Sequence, residues 1–173
     1  MTARASRVRR TTAAAGVVVL LALTSTACSP LTVGVLGVGA DGDGSPVAYL
    51  QVCDQHLDSV LLYSPDVDGE RGGEWTATTP VSDSAVLDLQ DPGDGWTVRT
   101  ALPDLLPGTS YSLHAWSSSR FSNVGAESVQ FTADDLAALR PGDVRRREGD
   151  VVVVESEADF AKHACDYVDG LYS

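Results

Sequence analysis

The stretch Leu102-Pro103-Asp104-Leu105-Leu106-Pro107-Gly108-Thr109-Ser110-Tyr111-Ser112-Leu113-His114-Ala115-Trp116 decides the fold of this chain. Pro107-Gly108 breaks the chain, and apolar and polar residues then alternate from Ser110 to Trp116. Successive side chains of a strand point to opposite sides, so this alternation is typical of a strand with one buried face. The stretch therefore predicts a tight turn that leads into a β-strand.

Other short apolar segments surround this strand and are separated by turn residues. They cover residues 31–38, 47–53, 59–63, 74–79, 85–89, 96–100 and 128–131. Asp91-Pro92-Gly93 is the clearest of the turn signals between them. Short strands at this spacing predict a mainly β protein, built as an antiparallel sandwich.

The segment from Leu105 to Tyr111 resembles the Leu-x-Pro-Gly-Thr-x-Tyr corner of fibronectin type III-like and immunoglobulin-like domains. The resemblance implies that the ring of Tyr111 lies in the core and that its hydroxyl bonds back to the backbone. It covers about residues 46–132. The early core tryptophan of that family is missing, so Tyr49 or Leu50 is expected in its place. Leu113 stands where an immunoglobulin domain carries its second cysteine, which excludes the antibody-type disulfide.

Residues 133–173 predict a helix-strand-helix addition to the sandwich. A capped helix is expected over 134–139, a strand at Val151-Val152-Val153-Val154, and a second helix from Ser156 to Gly170. The basic run Arg145-Arg146-Arg147 is interpreted as a solvated loop.

The first 27 residues predict an export signal. Four arginines precede a short apolar run, and small residues follow it directly before Cys28. An apolar run of this length is too short to span a bilayer. The remaining residues, 28–173, are expected to form a single extracytoplasmic domain.

The end of this segment, Leu23-Thr24-Ser25-Thr26-Ala27-Cys28, resembles the lipobox of bacterial lipoproteins. The chain that remains after removal of the signal is similar to small lipoproteins of high-GC Gram-positive (actinobacterial-type) bacteria. This resemblance implies that Cys28 carries lipid (palmitate), which would hold the protein on the outer face of the cell membrane. Ordinary signal cleavage, which would release a soluble protein, is the alternative.

The charge balance narrows the choice of partners. Four of the 12 basic residues and none of the 24 acidic ones precede Cys28, so residues 28–173 carry eight basic residues and a net charge of −16. Nucleic acid is therefore not expected as a partner, because binding phosphates requires clustered Lys and Arg. A protein or cell-wall partner is expected instead.

Cys53 and Cys165 are the cysteines that remain once Cys28 is lipidated, and in an exported chain they predict a disulfide. A zinc site is the alternative, because His56 and His163 stand near these cysteines and complete a set of two Cys and two His.

No nucleophile signature is present, so we expect a non-catalytic binding or structural module without a cofactor. A small envelope enzyme is the alternative, and it would need a cleft that gathers His56, His114 and Asp58. Trp75, Trp96 and Trp116 either pack in the core or form an exposed aromatic platform for a glycan or peptide.

Overall fold

The computed structural model describes residues 30–64 and 71–173, so the predicted signal peptide and Cys28 lie outside the described residues. The protein is mainly β. Eleven strands and two helices are described: β1 Leu31–Ala40, β2 Pro46–Val52, β3 Leu57–Tyr63, β4 Arg71–Val81, β5 Ser84–Asp88, β6 Trp96–Thr100, β7 Ser110–Trp116, β8 Val124–Glu127, β9 Val129–Thr132, α1 Ala133–Ala137, β10 Asp143–Glu148, β11 Val151–Ser156 and α2 Glu157–Leu171.

The strands join into one sheet in the order β11-β10-β1-β8-β7-β3-β4-β6, with β2 and β5 branching from β1 and β9 branching from β7. The sheet curls, so that side chains from both branches pack together in one buried cluster. Leu36 of β1 and Leu50 of β2 pack there with Leu62 of β3, Trp75 of β4 and Leu113 of β7. Burying this apolar surface is the main favourable contribution to folding.

One pairing departs from the antiparallel arrangement that the sequence predicts. β1 runs parallel to β8, and its register shifts between Thr32 and Gly34. This irregularity moves the β1 side chains between faces, so Val33 and Leu36 point into the main cluster whereas Val35 points to the opposite side. β1 therefore has apolar neighbours on both of its faces.

The opposite side of β1 is covered by helix α2. Phe160, Ala164 and Val168 form its buried stripe and pack against Val35 and Val144 in a second cluster. Their spacing of four residues places them on one helix face. The Ser156 side chain accepts a hydrogen bond from the Asp159 backbone N–H and so caps the helix.

The interpretation of residues 145–147 as a loop is wrong, because they belong to strand β10. Val144 and Arg146 are buried on the α2 side of this strand. The Arg146 guanidinium lies 2.6 Å from Glu148 and also pairs with Glu155. A buried cation needs such partners. The C-terminal addition is thus helix-strand-strand-helix.

Leu50 and Tyr49, the two residues expected to take the place of a core tryptophan, lie on opposite faces of β2. Leu50 packs in the main cluster as expected, whereas Tyr49 points to the second cluster. Trp75, from the later strand β4, is fully buried in the main cluster and supplies its largest side chain.

Candidate functional site

The outward face of strands β3 and β7 carries the candidate site. The two strands pair so that Ser59 lies opposite Trp116, Leu61 opposite His114 and Tyr63 opposite Ser112. Val60 and Leu62 alternate with these residues and point into the core. This outward face therefore places Leu61 and His114 between two aromatic side chains, Trp116 and Tyr63, because paired residues of a sheet share one face.

Strands β1 and β8 turn this face into a groove of about 670 Å³. Its walls include Pro30, Thr32, Gly125 and Glu127. A side chain at Gly125 would place a Cβ atom 2.9 Å from the Ala115 carbonyl oxygen, so the close approach of β8 to β7 needs glycine. We call this site the His114 groove.

His114 is the central polar group of the groove. Its Nε2 atom lies 2.9 Å from the Ser112 Oγ atom. Burial lowers the pKa of His114 below its ordinary value of 6.5, because a charged imidazole is poorly solvated there. The ring is therefore neutral near pH 7 and offers a hydrogen-bonding edge without a charge.

Glu127 is the acidic group of the groove. Burial raises the pKa of this carboxyl, and the attraction of Arg147 opposes that rise. Its charge is consequently more costly than that of a carboxylate in water. The groove thus favours uncharged side chains over charged ones.

A second depression, of about 840 Å³, lies at the opposite end of the domain. The β1–β2 turn, the segment before β7 and helix α1 form its walls, with Asp41, Asp104 and Leu136 among the lining residues. Within the part of the chain that the structure describes, no aromatic side chain lines it. The His114 groove is therefore the better candidate for specific recognition.

Cys53 and Cys165 form a disulfide, which confirms the sequence prediction. Their Cα atoms are 5.5 Å apart, and the bond ties the end of β2 to helix α2. The zinc alternative requires both sulfurs as thiolates, and the disulfide occupies them. In the ranges 30–64 and 71–173, no cluster of three His, Cys, Asp or Glu side chains could hold a metal ion.

The three polar residues of the enzyme alternative have different surroundings. Asp58 accepts hydrogen bonds from the backbone N–H and the hydroxyl of Ser118, at 2.7 and 2.8 Å. His56 is exposed between β2 and β3. Of the three, His114 alone lines the groove.

The three tryptophans do not form a shared platform. Trp75 is fully buried, Trp96 packs partly against the main cluster, and Trp116 lines the groove. Sequence reasoning did not identify Leu61, Tyr63 or Glu127 as site residues. The alternation in 59–63 shows that Leu61 and Tyr63 share a face, but the sequence does not show that β3 pairs with β7.

Tyr111 occupies the corner before this face. Its ring is buried and stacks on Phe131 at 5.9 Å between centroids. Its hydroxyl accepts a hydrogen bond from the Leu106 backbone N–H at 2.8 Å. The corner fixes where β7 begins and thereby positions Ser112, His114 and Trp116.

Across the described residues, no helix is both long and apolar enough to cross a bilayer. No protein-family model matches this chain, and neither a curated protein nor a solved structure does.

Proposed function

We propose that this chain is an exported lipoprotein, anchored through Cys28 to the outer face of the cell membrane, and that it binds its partner in the His114 groove. The observation that carries the proposal is the composition of the groove. Two aromatic side chains, Tyr63 and Trp116, flank a histidine that is neutral near pH 7. Aromatic side chains with polar tips are enriched where proteins recognise other molecules.

The finer description of the fold belongs to the same proposal. Strand β2 pairs with both β1 and β5, and strands β9, β7, β3 and β4 form the facing layer. Together with the hydrogen bond of Tyr111 to Leu106, this arrangement supports a fibronectin type III-like or immunoglobulin-like sandwich. Such folds carry many different functions, so the groove and not the fold indicates binding.

The partner is a protein or a cell-wall component. The net charge of −16 over residues 28–173 disfavours nucleic acid. The largely apolar groove disfavours strongly charged ligands, because burying an unpaired charge is costly. Binding needs no cofactor and no chemical step.

Site-directed photo-crosslinking in cells tests the proposal. A benzophenone amino acid is introduced at Tyr63, inside the groove, and at Val86, which is 57% exposed on the β5 edge. We expect one recurrent adduct from position 63 that is missing from position 86. The adduct should also weaken when Trp116→Ala is added. Equal adducts from both positions would contradict a groove-specific partner.

Palmitate labelling tests the anchor separately. Wild-type protein should incorporate labelled palmitate and remain with the membrane fraction, and Cys28→Ser should lose both properties. Labelling that survives in the variant would overturn the assignment of Cys28.

One observation favours a second function, that of a small envelope hydrolase. The 2.9 Å contact between Ser112 Oγ and His114 Nε2 is the spacing of a nucleophile and its general base. However, Ser112 is buried beneath the groove, with 8% of its surface exposed. Covalent labelling by a fluorophosphonate, lost in both Ser112→Ala and His114→Gln, would favour the hydrolase. If the fluorophosphonate does not label the wild-type protein, the hydrolase is contradicted and binding remains the proposed function.

A further inference from the structure

Exposed apolar side chains gather at the end of the domain where the described chain begins. Phe121, in the loop between β7 and β8, is fully exposed, and Leu31 is 43% exposed. The Leu31 backbone N–H bonds to the Asn123 carbonyl oxygen at 2.9 Å, so the loop lies beside the start of β1. Two distant segments thus expose large apolar side chains close to each other.

The C-terminus adds a third segment to this end. Tyr172 is 59% exposed, and its hydroxyl bonds to the backbone of Thr32, accepting from the N–H at 3.0 Å and donating to the carbonyl at 3.3 Å. Leu171, its neighbour, is 45% exposed. We call the surface formed by Pro30, Leu31, Phe121, Leu171 and Tyr172 the Pro30 end.

Hydrogen bonds within the loop and to the neighbouring strands β3 and β8 hold the loop that carries Phe121 in place. Asp58 accepts two bonds from Ser118, and the Ser117 backbone N–H bonds to the Val124 carbonyl. The Ser122 N–H bonds to the Ser119 carbonyl within the loop. Phe121 is therefore presented to the surroundings by a fixed turn.

Chain length places this end close to the lipid. Pro30 follows Cys28 by two residues, and two residues span at most about 7 Å. The polar headgroup layer on each side of a bilayer is roughly 5–8 Å thick. A lipid on Cys28 therefore keeps the Pro30 end within reach of the headgroups.

We propose that the Pro30 end docks on the bilayer, with Phe121 and Leu31 inserted at the boundary between headgroups and acyl chains. This inference rests on the proposed lipid anchor. Aromatic and aliphatic side chains gain free energy at this boundary, and Tyr172 has the amphipathic character that the headgroup region favours. The docked domain would stand with α1 and the second depression directed away from the membrane.

Apolar insertion, not charge, carries this docking. Arg120 is next to Phe121, but Asp54 and His56 lie in the β2–β3 loop at the same end, and the whole chain is acidic. Attraction to anionic lipid is therefore not required. We expect docking on zwitterionic phosphatidylcholine and little change with salt, because screening acts on charges.

Depth-dependent quenching tests the docking. The acylated full chain is reconstituted in phosphatidylcholine vesicles with an environment-sensitive NBD probe at Phe121→Cys. The matched control carries the probe at Leu106→Cys, which is 53% exposed near the opposite end. We expect a blue-shifted emission at position 121 and quenching by doxyl-labelled lipid several-fold stronger than at position 106. Mass spectrometry of the N-terminal peptide verifies the acyl chains.

The outcomes separate the two proposals. An acylated protein with equally water-exposed probes at both positions would overturn the docking and leave the anchor intact. A protein without acyl chains on Cys28 would overturn both. Hydrogen exchange of the unlabelled protein gives an independent measurement: exchange in residues 117–123 should slow on vesicles relative to the acyl-free Cys28→Ala form, and unchanged exchange would contradict docking.

Discussion

Cys53 and Cys165 stand 112 residues apart in the chain and are joined by a disulfide between strand β2 and helix α2. The bond closes residues 53–165 into one loop that includes strands β3 to β11. A loop of this length restricts the unfolded chain strongly, which stabilises the folded state by up to about 4–5 kcal/mol in the chain-entropy description.

Removing the disulfide should lower the free energy of unfolding by several kcal/mol. We expect the Cys53→Ser/Cys165→Ser double variant to unfold at a clearly lower denaturant concentration than the oxidised protein. Adding reductant should shift the wild-type transition and leave the double variant unchanged. A wild-type transition that does not respond to reductant would show that the bond does not form in solution.

Tyr111→Phe should destabilise the fold by about 1–2 kcal/mol. The substitution keeps the buried ring against Phe131 but deletes the hydroxyl that accepts from the Leu106 N–H. Chemical denaturation measures the loss. Tyr63→Phe is the matched control, because Tyr63 lines the open groove, and it should change stability by much less.

Gly37→Ala should destabilise the contact of α2 and β10 with β1. An added Cβ atom would lie 2.3 Å from Val144 Cγ1 and 3.3 Å from Phe160 Cε2. Overpacking of this kind costs roughly 1–3 kcal/mol. Thermal unfolding should show the loss for Gly37→Ala but not for Gly42→Ala, where a Cβ atom would meet nothing within 4 Å. Equal melting temperatures for the two variants would show that α2 and β10 do not pack closely against Gly37.

Stability should fall as the pH drops from about 7.5 to 5.5, and His114→Gln should reduce that fall. Burial lowers the pKa of His114 in the folded protein, so the unfolded chain binds a proton more readily in this range. Protonation then favours the unfolded state. Urea denaturation at a series of pH values measures the slope.

Glu127 acts in the opposite direction. Its raised pKa means that the folded protein binds the proton more readily, so its stabilising contribution is present at low pH and is lost as the pH rises through the folded pKa. A Glu127→Gln variant should therefore remove this opposing effect, which sets in above the ordinary carboxyl pKa of 4.5. An identical slope in wild type and His114→Gln would rule out a buried His114.

The sequence predicted the elements with clear alternation well. Strands β2, β3, β5, β6 and β7 lie close to their expected positions, because apolar residues alternate with polar ones or fill short runs between turn residues. Helix α2 was predicted from its spacing of apolar residues and its capping serine. The Cys53–Cys165 pairing followed from the cysteine count.

Strand β10 was missed because its buried positions do not look buried. Arg146 occupies one of them, and its charge is offset by Glu148 and Glu155, which the sequence does not place beside it. The His114 groove was missed as a unit for a related reason. Leu61 lies opposite His114 only because β3 pairs with β7 in one particular register. Local sequence patterns do not specify which strands pair.

The place of β1 in the middle of the sheet has a consequence for the order of folding. This strand pairs with β2 directly after it, but its other partners, β8 and β10, are made much later, with Gly37 opposite Arg146. A chain that is synthesised from its N-terminus can form the β1–β2 hairpin early. The other edge of β1 stays partly unpaired until residues beyond 140 are available to form β10. Contacts so distant in sequence form slowly. Until β10 is available, the exposed edge of β1 is a template for aggregation with other chains.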